Sequence, residues 1–282
     1  MTLRQALVHA REMLAAAPKD VEDPSLESEV LLKHILQVDR ASLYLELERE
    51  LAPEAEARFF QWIERRVQGE PLAYIIQCRE FYGLDFYVDS RVLIPRPESE
   101  LLVEQALCFA RRQPVSIVAD VGTGSGAIAV SLAINLPRAK IYATDISATA
   151  LEVAKTNSQE HGVAERIVFL QGDLLGPIPE PADLLIANLP YVKKFDLAGM
   201  PSAVYEPAIA LDGGESGLDQ IFRFCRQLEG RVRSSGCVLL EIGMGQSRAV
   251  TEFLHSQFPS AAIGIIPDLA GIERVVKITL KM

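Results

Sequence analysis

The sequence predicts an α/β protein in three parts: a small N-terminal helical bundle over residues 1–73, a β-hairpin linker over 74–94, and an open seven-stranded sheet domain with helices on both faces over 95–282. Three observations lead there. Apolar residues recur at helical spacing through the first region; alternation of apolar and polar groups replaces it across 74–94; and from 115 onward, short apolar runs of strand length alternate with helical ones. Of the 282 residues, 49% are hydrophobic and 23% charged, which excludes a generally disordered chain.

Segments 2–16, 24–37 and 53–68 are the predicted helices of the bundle, with Leu3, Ala6, Leu7 and Ala10 forming the first apolar stripe. Asp23 and Ser25 are candidate caps for the second, and Pro53 with Glu54 suits the start of the third. Phe59, Phe60, Ile63 and Val67 give that third helix a buried face, which Trp62 joins. Their role is packing. Gly83 and Asp85 offer a turn between two short strands of the linker, and Pro95-Arg96-Pro97 ends it, because each proline restricts itself and the residue before. A helix follows over 98–111.

In the third region, 116–122, 139–145, 166–173 and 183–191 read as strands, and 126–136 and 147–162 as helices between them. The segments 217–231 and 246–257 continue the helices, while 236–241, 262–267 and 273–280 complete seven strands.

Twenty-eight basic residues against thirty-eight acidic ones give a net charge of −10, which argues against a broad nucleic-acid-binding surface. No direct nucleic-acid partner is expected. Cys78, Cys108, Cys225 and Cys237 lack paired spacing, as do His9, His34, His161 and His255, so reduced thiols and no metal site are expected. No stretch has the length of a membrane span, and the opening segment has charges within its apolar pattern, unlike an export signal. The expectation is a cytoplasmic monomer.

The most suggestive turn is Gly122-Thr123-Gly124-Ser125-Gly126, where the first strand of the third region gives way to a helix. Its glycines permit a tight turn and leave room for a ligand beside backbone donors. The next strand ends in Asp145, whose carboxylate can accept both hydroxyl hydrogens of a ribose. The spacing departs from GxGxxG and there is no GxxxxGK[ST]. Asp120, just before the glycines, suits an amino or methionyl ammonium group better than a pyrophosphate, favouring S-adenosylmethionine over a dinucleotide. Asp173, at the end of the third strand, suits either the adenine amino group, with Leu174 flanking the ring, or a simple cap.

Asn188-Leu189-Pro190-Tyr191 closes the fourth strand on the same edge of the sheet. A planar amide or aromatic amine is a poor nucleophile, since its nitrogen lone pair is delocalised, and acceptors around the NH2 are needed to aim that pair at an activated methyl. The Asn188 side-chain oxygen and the Leu189 carbonyl suit this task, with Tyr191 packing over the acceptor and Pro190 restricting the loop. The alternative is an ordinary strand-terminating turn. Glu206-Pro207 and the polar stretch 211–217 are candidates to shape the acceptor pocket, with a solvent loop and helix start as the alternative, and Glu241-Ile242-Gly243 falls near the same edge, where a turn role suits it as well.

These residues resemble the class I (Rossmann-like) S-adenosylmethionine-dependent methyltransferases. Gln68-Gly69-Glu70-Pro71-Leu72-Ala73-Tyr74-Ile75, Phe81-Tyr82-Gly83 and Leu93-Ile94-Pro95-Arg96-Pro97-Glu98-Ser99-Glu100 narrow the resemblance to the release factor glutamine methyltransferase family, over essentially the whole chain. The resemblance implies methyl transfer from S-adenosyl-L-methionine to the N5 amide of the glutamine in the GGQ motif of class 1 peptide chain release factors, leaving S-adenosyl-L-homocysteine. It implies that Gly122 to Gly126 cradle the cofactor, that Asp145 binds its ribose, that Leu174 contacts adenine, and that Asn188 to Tyr191 receive the glutamine. The family's tetrad is usually NPPY, so Leu189 is a departure that loosens the loop; Leu174 stands where an aromatic residue is frequent. The tetrad also resembles that of ribosomal RNA adenine dimethyltransferases. The acidic charge, the connector and the expected absence of a basic C-terminal domain after 272–282 weigh against that alternative. A nonenzymatic methyltransferase-like binding protein is the third reading.

Overall fold

A computed structural model of the chain describes residues 1–17, 21 and 23–279. They form two compact units that divide between Cys78 and Arg79.

The first unit is helical. Helix α1 (Leu3–Ala15) begins with a reciprocal cap: the Thr2 hydroxyl accepts from the Gln5 N–H, and the Gln5 side chain accepts from the Thr2 N–H. Asp23 caps α2 (Pro24–Leu36) by accepting from the Ser25 and Leu26 N–H groups. A short α3 (Arg40–Leu45), capped by Asp39, lies between it and α4 (Pro53–Val67). Leu3, Ala6, Ala10, Leu31, Leu32, Phe59 and Ile63 are buried together as one core, to which Trp62 belongs. An ion pair between Arg66 and Glu27, both largely buried, ties α4 to α2.

The segment predicted to open the linker is instead helical, as α5 (Leu72–Ile76). Ile75 belongs to the helical core and its neighbour Ile76 packs against the same core, so adjacent side chains face one way, which an alternating strand does not allow. The hairpin follows as β1 (Cys78–Phe81) and β2 (Leu84–Tyr87). Its two turn residues, Tyr82 and Gly83, both have φ in the left-handed region, the geometry that matches strand twist.

In the second unit the connector passes through a helical turn at Pro97–Ser99 into α6 (Glu100–Ala110). Then come β3 (Ile117–Val121), α7 (Ala127–Asn135), β4 (Lys140–Asp145), α8 (Ala148–Glu160), β5 (Ile167–Gln171) and β6 (Ala182–Ala187). After β6 the chain forms short turns, including α9 (Lys194–Leu197), before α10 (Asp219–Arg226), β7 (Val232–Glu241), α11 (Ser247–Gln257), β8 (Ala262–Pro267) and β9 (Glu273–Thr279). The predicted last strand reached 280, which lies outside the described residues.

The seven strands run in the order β5-β4-β3-β6-β7-β9-β8, the first five parallel and β9 antiparallel between β7 and β8. Alternate residues of β3 feed opposite cores. Ala119 and Val121 pack with Ile221, Phe224 and Cys225 of α10 and with Val250 and Leu254 of α11. Val118 packs with α6, α7 and the hairpin's Phe81 and Phe86. The sheet thus has helices on both faces, as predicted. Strand order reverses at β3, between β4 and β6, and the crevice outside the carboxyl ends of those strands is where open α/β sheets receive ligands. No described helix is long and apolar enough to cross a membrane.

Candidate functional site

At the switch point, the glycine turn is bound to the next strand through its backbone. The N–H groups of Gly122 and Thr123 both donate to the Thr144 carbonyl at 2.9 Å. Beneath the turn, the Asp120 carboxylate is 1% exposed; its Oδ2 accepts from Thr123 Oγ1 at 2.6 Å, and the Ala129 N–H in the first turn of α7 also bonds it. Asp120 therefore braces loop and helix from below and does not line the cavity above. Burial pushes its acid up to about 7.

Gly126 caps α7 at φ +81°, where an added Cβ would lie 3.0 Å from Ala154 Cβ and 3.1 Å from Ala154 Cα. Gly124 is also left-handed, at φ +54°, but a Cβ there would meet nothing within 4 Å. Packing and its left-handed φ require glycine at 126, whereas at 124 the left-handed φ alone favours it.

Asp145 ends β4 with both oxygens engaged: Oδ2 accepts from the Gly124 N–H and Oδ1 from the Ser147 N–H, each at 2.9 Å. Each oxygen retains acceptor capacity. Burial raises its acid above the usual carboxylate range, and these backbone donors oppose the rise. On the neighbouring strand end, Asp173 forms a half-exposed ion pair with Arg223 at 2.6 Å, and the Leu174 carbonyl accepts from Thr144 Oγ1 at 3.1 Å.

The other wall is Asn188-Leu189-Pro190. Leu189 is buried and belongs to the core shared with α10 and α11, and its Cδ2 approaches the space above Gly122. Asn188 Nδ2 donates to Ser99 Oγ at 2.8 Å, Ser99 Oγ to Glu241 Oε2 at 2.6 Å, and Tyr191 OH to Glu241 Oε1 at 3.2 Å. Gln246 Nε2 donates to the Tyr191 carbonyl at 3.0 Å. Burial pushes both the Glu241 carboxyl and the Tyr191 phenol upward.

These strand ends surround a cavity of about 200 Å³ lined by Gly122, Gly124, Asp145, Asp173, Leu174, Asn188, Leu189 and Pro190. Thr123, Ser125 and Gly126 lie outside its lining, within the buried turn, and Tyr191 is directed to Glu241. A polar carboxylate, apolar side chains and open space over a glycine give one wall the character of a nucleoside site. The opposite wall holds a carboxamide whose NH2 end is already engaged.

Two family models match: the PrmC N-terminal domain over residues 5–76 and a methyltransferase domain over 115–259. The release factor glutamine methyltransferase of Moorella thermoacetica is 46% identical over 97% of this chain and 97% of its own. That of Koribacter versatilis is 41% identical over 98% of each. The chain belongs to the release factor glutamine methyltransferase family. Among solved structures, a ribosomal protein L11 methylase from Lactobacillus delbrueckii superposes with a TM-score of 0.51 at 21% identity, over 67% of this chain and 81% of that one. A methyltransferase from Pyrococcus furiosus gives 0.52 at 13%, over 82% and 100%. These two likenesses establish the shared fold, and membership makes this chain a methyltransferase.

Several residues of the site were not singled out for it by sequence reasoning. Arg91, Val92 and Leu93 of the connector, Ile146 and Ala150 at the start of α8, Ile209, and Gln220 and Arg223 of α10 all line the cavity, as does Pro207, which the sequence placed near the acceptor pocket. Glu206 is buried, accepting from the Ile94 N–H at 3.2 Å and from Arg96 at 2.6 Å, so it clamps the connector beside the cavity. Asn157 of α8, fully buried, joins the Tyr87 backbone to the Ser125 carbonyl and so links hairpin to glycine turn.

Proposed function

We propose that this protein transfers a methyl group from S-adenosyl-L-methionine to the N5 amide of the glutamine in the GGQ motif of class 1 peptide chain release factors, with S-adenosyl-L-homocysteine as product. The observation that supports this most is that Gly124 and Asp145, suited to an adenosyl group, line the same cavity as Asn188 and Pro190, suited to a planar amide. Family membership supplies the chemistry: bound S-adenosyl-L-methionine offers a methyl on a positively charged sulfur.

The chain's own residues then position. The turn from Gly122 to Gly126 keeps side chains clear of the cofactor, and the spare lone pairs of Asp145 take the ribose hydroxyls. Leu174 and Ile146 provide apolar cover for adenine, and Asp173, held by Arg223, retains one oxygen for its amino group. Asn188 Oδ1 and the Leu189 carbonyl accept the two hydrogens of the glutamine NH2, while Pro190 and Tyr191 shape the loop. The amide nitrogen forms the new N–C bond as the S–C bond breaks, its electrons passing to sulfur. The methylated nitrogen then releases a proton to solvent. No side-chain base is needed, because the nitrogen becomes acidic only after transfer; alignment provides the acceleration.

We assign recognition of the release factor to the helical unit, whose separate core leaves the cavity-lining residues wholly within the second unit. Mass spectrometry of the GGQ peptide from a release factor incubated with enzyme and cofactor is the test. One added methyl on the glutamine side chain supports the reading, and an unmodified peptide beside bound cofactor contradicts it.

A further inference from the structure

The two ends of the Asn188 carboxamide are opposite in meaning for an amide acceptor. Its oxygen accepts from the acceptor NH2, whereas its own NH2 would compete with those hydrogens. What decides between them is the chain Asn188–Ser99–Glu241–Tyr191. A serine hydroxyl has one hydrogen, and the two Glu241 oxygens accept from Ser99 and from Tyr191. Ser99 gives its hydrogen to Glu241 Oε2 at 2.6 Å, so toward Asn188, 2.8 Å away, it presents lone pairs alone. An inverted Asn188 would set oxygen against oxygen. If Ser99 turned its hydrogen to relieve that contact, Glu241 Oε2 would lose its donor at a position where the residue is 1% exposed. Glu241 Oε1 is held in turn by the hydroxyl of Tyr191, the residue directly after Pro190 on the same loop, so one carboxylate orients both ends of the tetrad.

We infer that Ser99 and Glu241 are positioning residues for methyl transfer: through Ser99's single hydrogen they fix the Asn188 amide with Oδ1 toward the acceptor, selecting a planar primary amide or exocyclic amine with two hydrogens to give. This rests on the methyl-transfer reading above. Neither residue lines the cavity. Ser99 makes no side-chain cap to α6, so loss of its hydroxyl leaves the start of that helix intact.

The test is a cycle of full-length Ser99→Ala, Ser99→Thr, Asn188→Ala and Ser99→Ala/Asn188→Ala, assayed for kcat and KM on an intact release factor, with cofactor Kd measured by calorimetry. Ser99→Ala is expected to lower kcat on the order of 100-fold, as misalignment at a reacting centre does, with cofactor Kd within about twofold, a tolerance small beside the tenfold that 1.4 kcal/mol represents. Ser99→Thr, which keeps the hydroxyl, restores most of the rate, and the double variant is no slower than Asn188→Ala alone. Wild-type kcat in Ser99→Ala, or losses that multiply in the double variant, would overturn the inference. Absence of transfer by the wild-type enzyme would instead bring down the reading beneath it, and the inference with it.

Discussion

Gly126 and Gly124 are two residues apart in one turn and both left-handed, yet the structure separates their roles, and alanine at each gives opposite results. At Gly126 the added methyl meets Ala154 Cβ at 3.0 Å and Cα at 3.1 Å, backbone-anchored atoms on α8 that cannot swing aside. The left-handed conformation costs a non-glycine residue about 1–2 kcal/mol, and forcing a methyl into packed surroundings about 1–3 more. Gly126→Ala is therefore expected to lose about 2–5 kcal/mol, seen as a lower urea midpoint at unchanged slope. Gly124→Ala carries only the conformational share, about 1–2 kcal/mol, because its Cβ meets nothing within 4 Å. That methyl enters cavity space instead, so cofactor Kd should rise at least about tenfold, the equivalent of 1.4 kcal/mol. Paired urea unfolding and calorimetry check both. A Gly126→Ala protein as stable as the wild type, or a Gly124→Ala protein that binds cofactor normally, would refute the reasoning.

Asp120 makes stability pH-dependent: its acid is raised from 3.8 to about 7 by burial, so its contribution is fully present below 3.8 and is lost as pH rises through 7. At roughly 1.36 kcal/mol per unit the whole span is about 4 kcal/mol at most, and Asp120→Asn should flatten this part of the stability–pH curve from urea unfolding. Leu189→Ala removes a buried side chain shared by core and cavity wall, and about 2–3 kcal/mol should be lost, toward the low end for such truncations because the site already borders open space. Arg223→Ala should change stability by less than about 1 kcal/mol, since its ion pair with Asp173 is half exposed. A fragment of residues 79–282 should keep cofactor binding while losing most of its use of the protein substrate; equal loss of both by calorimetry and transfer assay would contradict the assignment of recognition to the helical unit.

The legible parts of the molecule are those written in local order. The period change at 115, the glycines between β3 and α7, and the carboxylate ending β4 are each set by residues close in sequence, and the seven strands follow from them. Tyr74, Ile75 and Ile76 are β-formers, so local preference favours an extended segment where α5 lies; packing of Ile75 and Ile76 into one core outweighs it. The supporting network was not legible for a different reason. Ser99 and Glu241 are 142 residues apart, Arg96 and Glu206 110, and Ser99 and Asn188 89, and no periodicity connects them. Glu241 ends β7 and Asn188 follows β6, so adjacency arises only when those strands pair. Asp120 shows the converse: its place before the glycines suggested a ligand contact, while the fold directs it under the turn.

The most direct measurement is the transfer of labelled methyl from S-adenosyl-L-methionine to three acceptors side by side: an intact class 1 release factor, the same factor with its GGQ glutamine replaced, and small-subunit ribosomal RNA. The account predicts label on the intact factor alone. Label on the RNA, or equal label on the substituted factor, would contradict it.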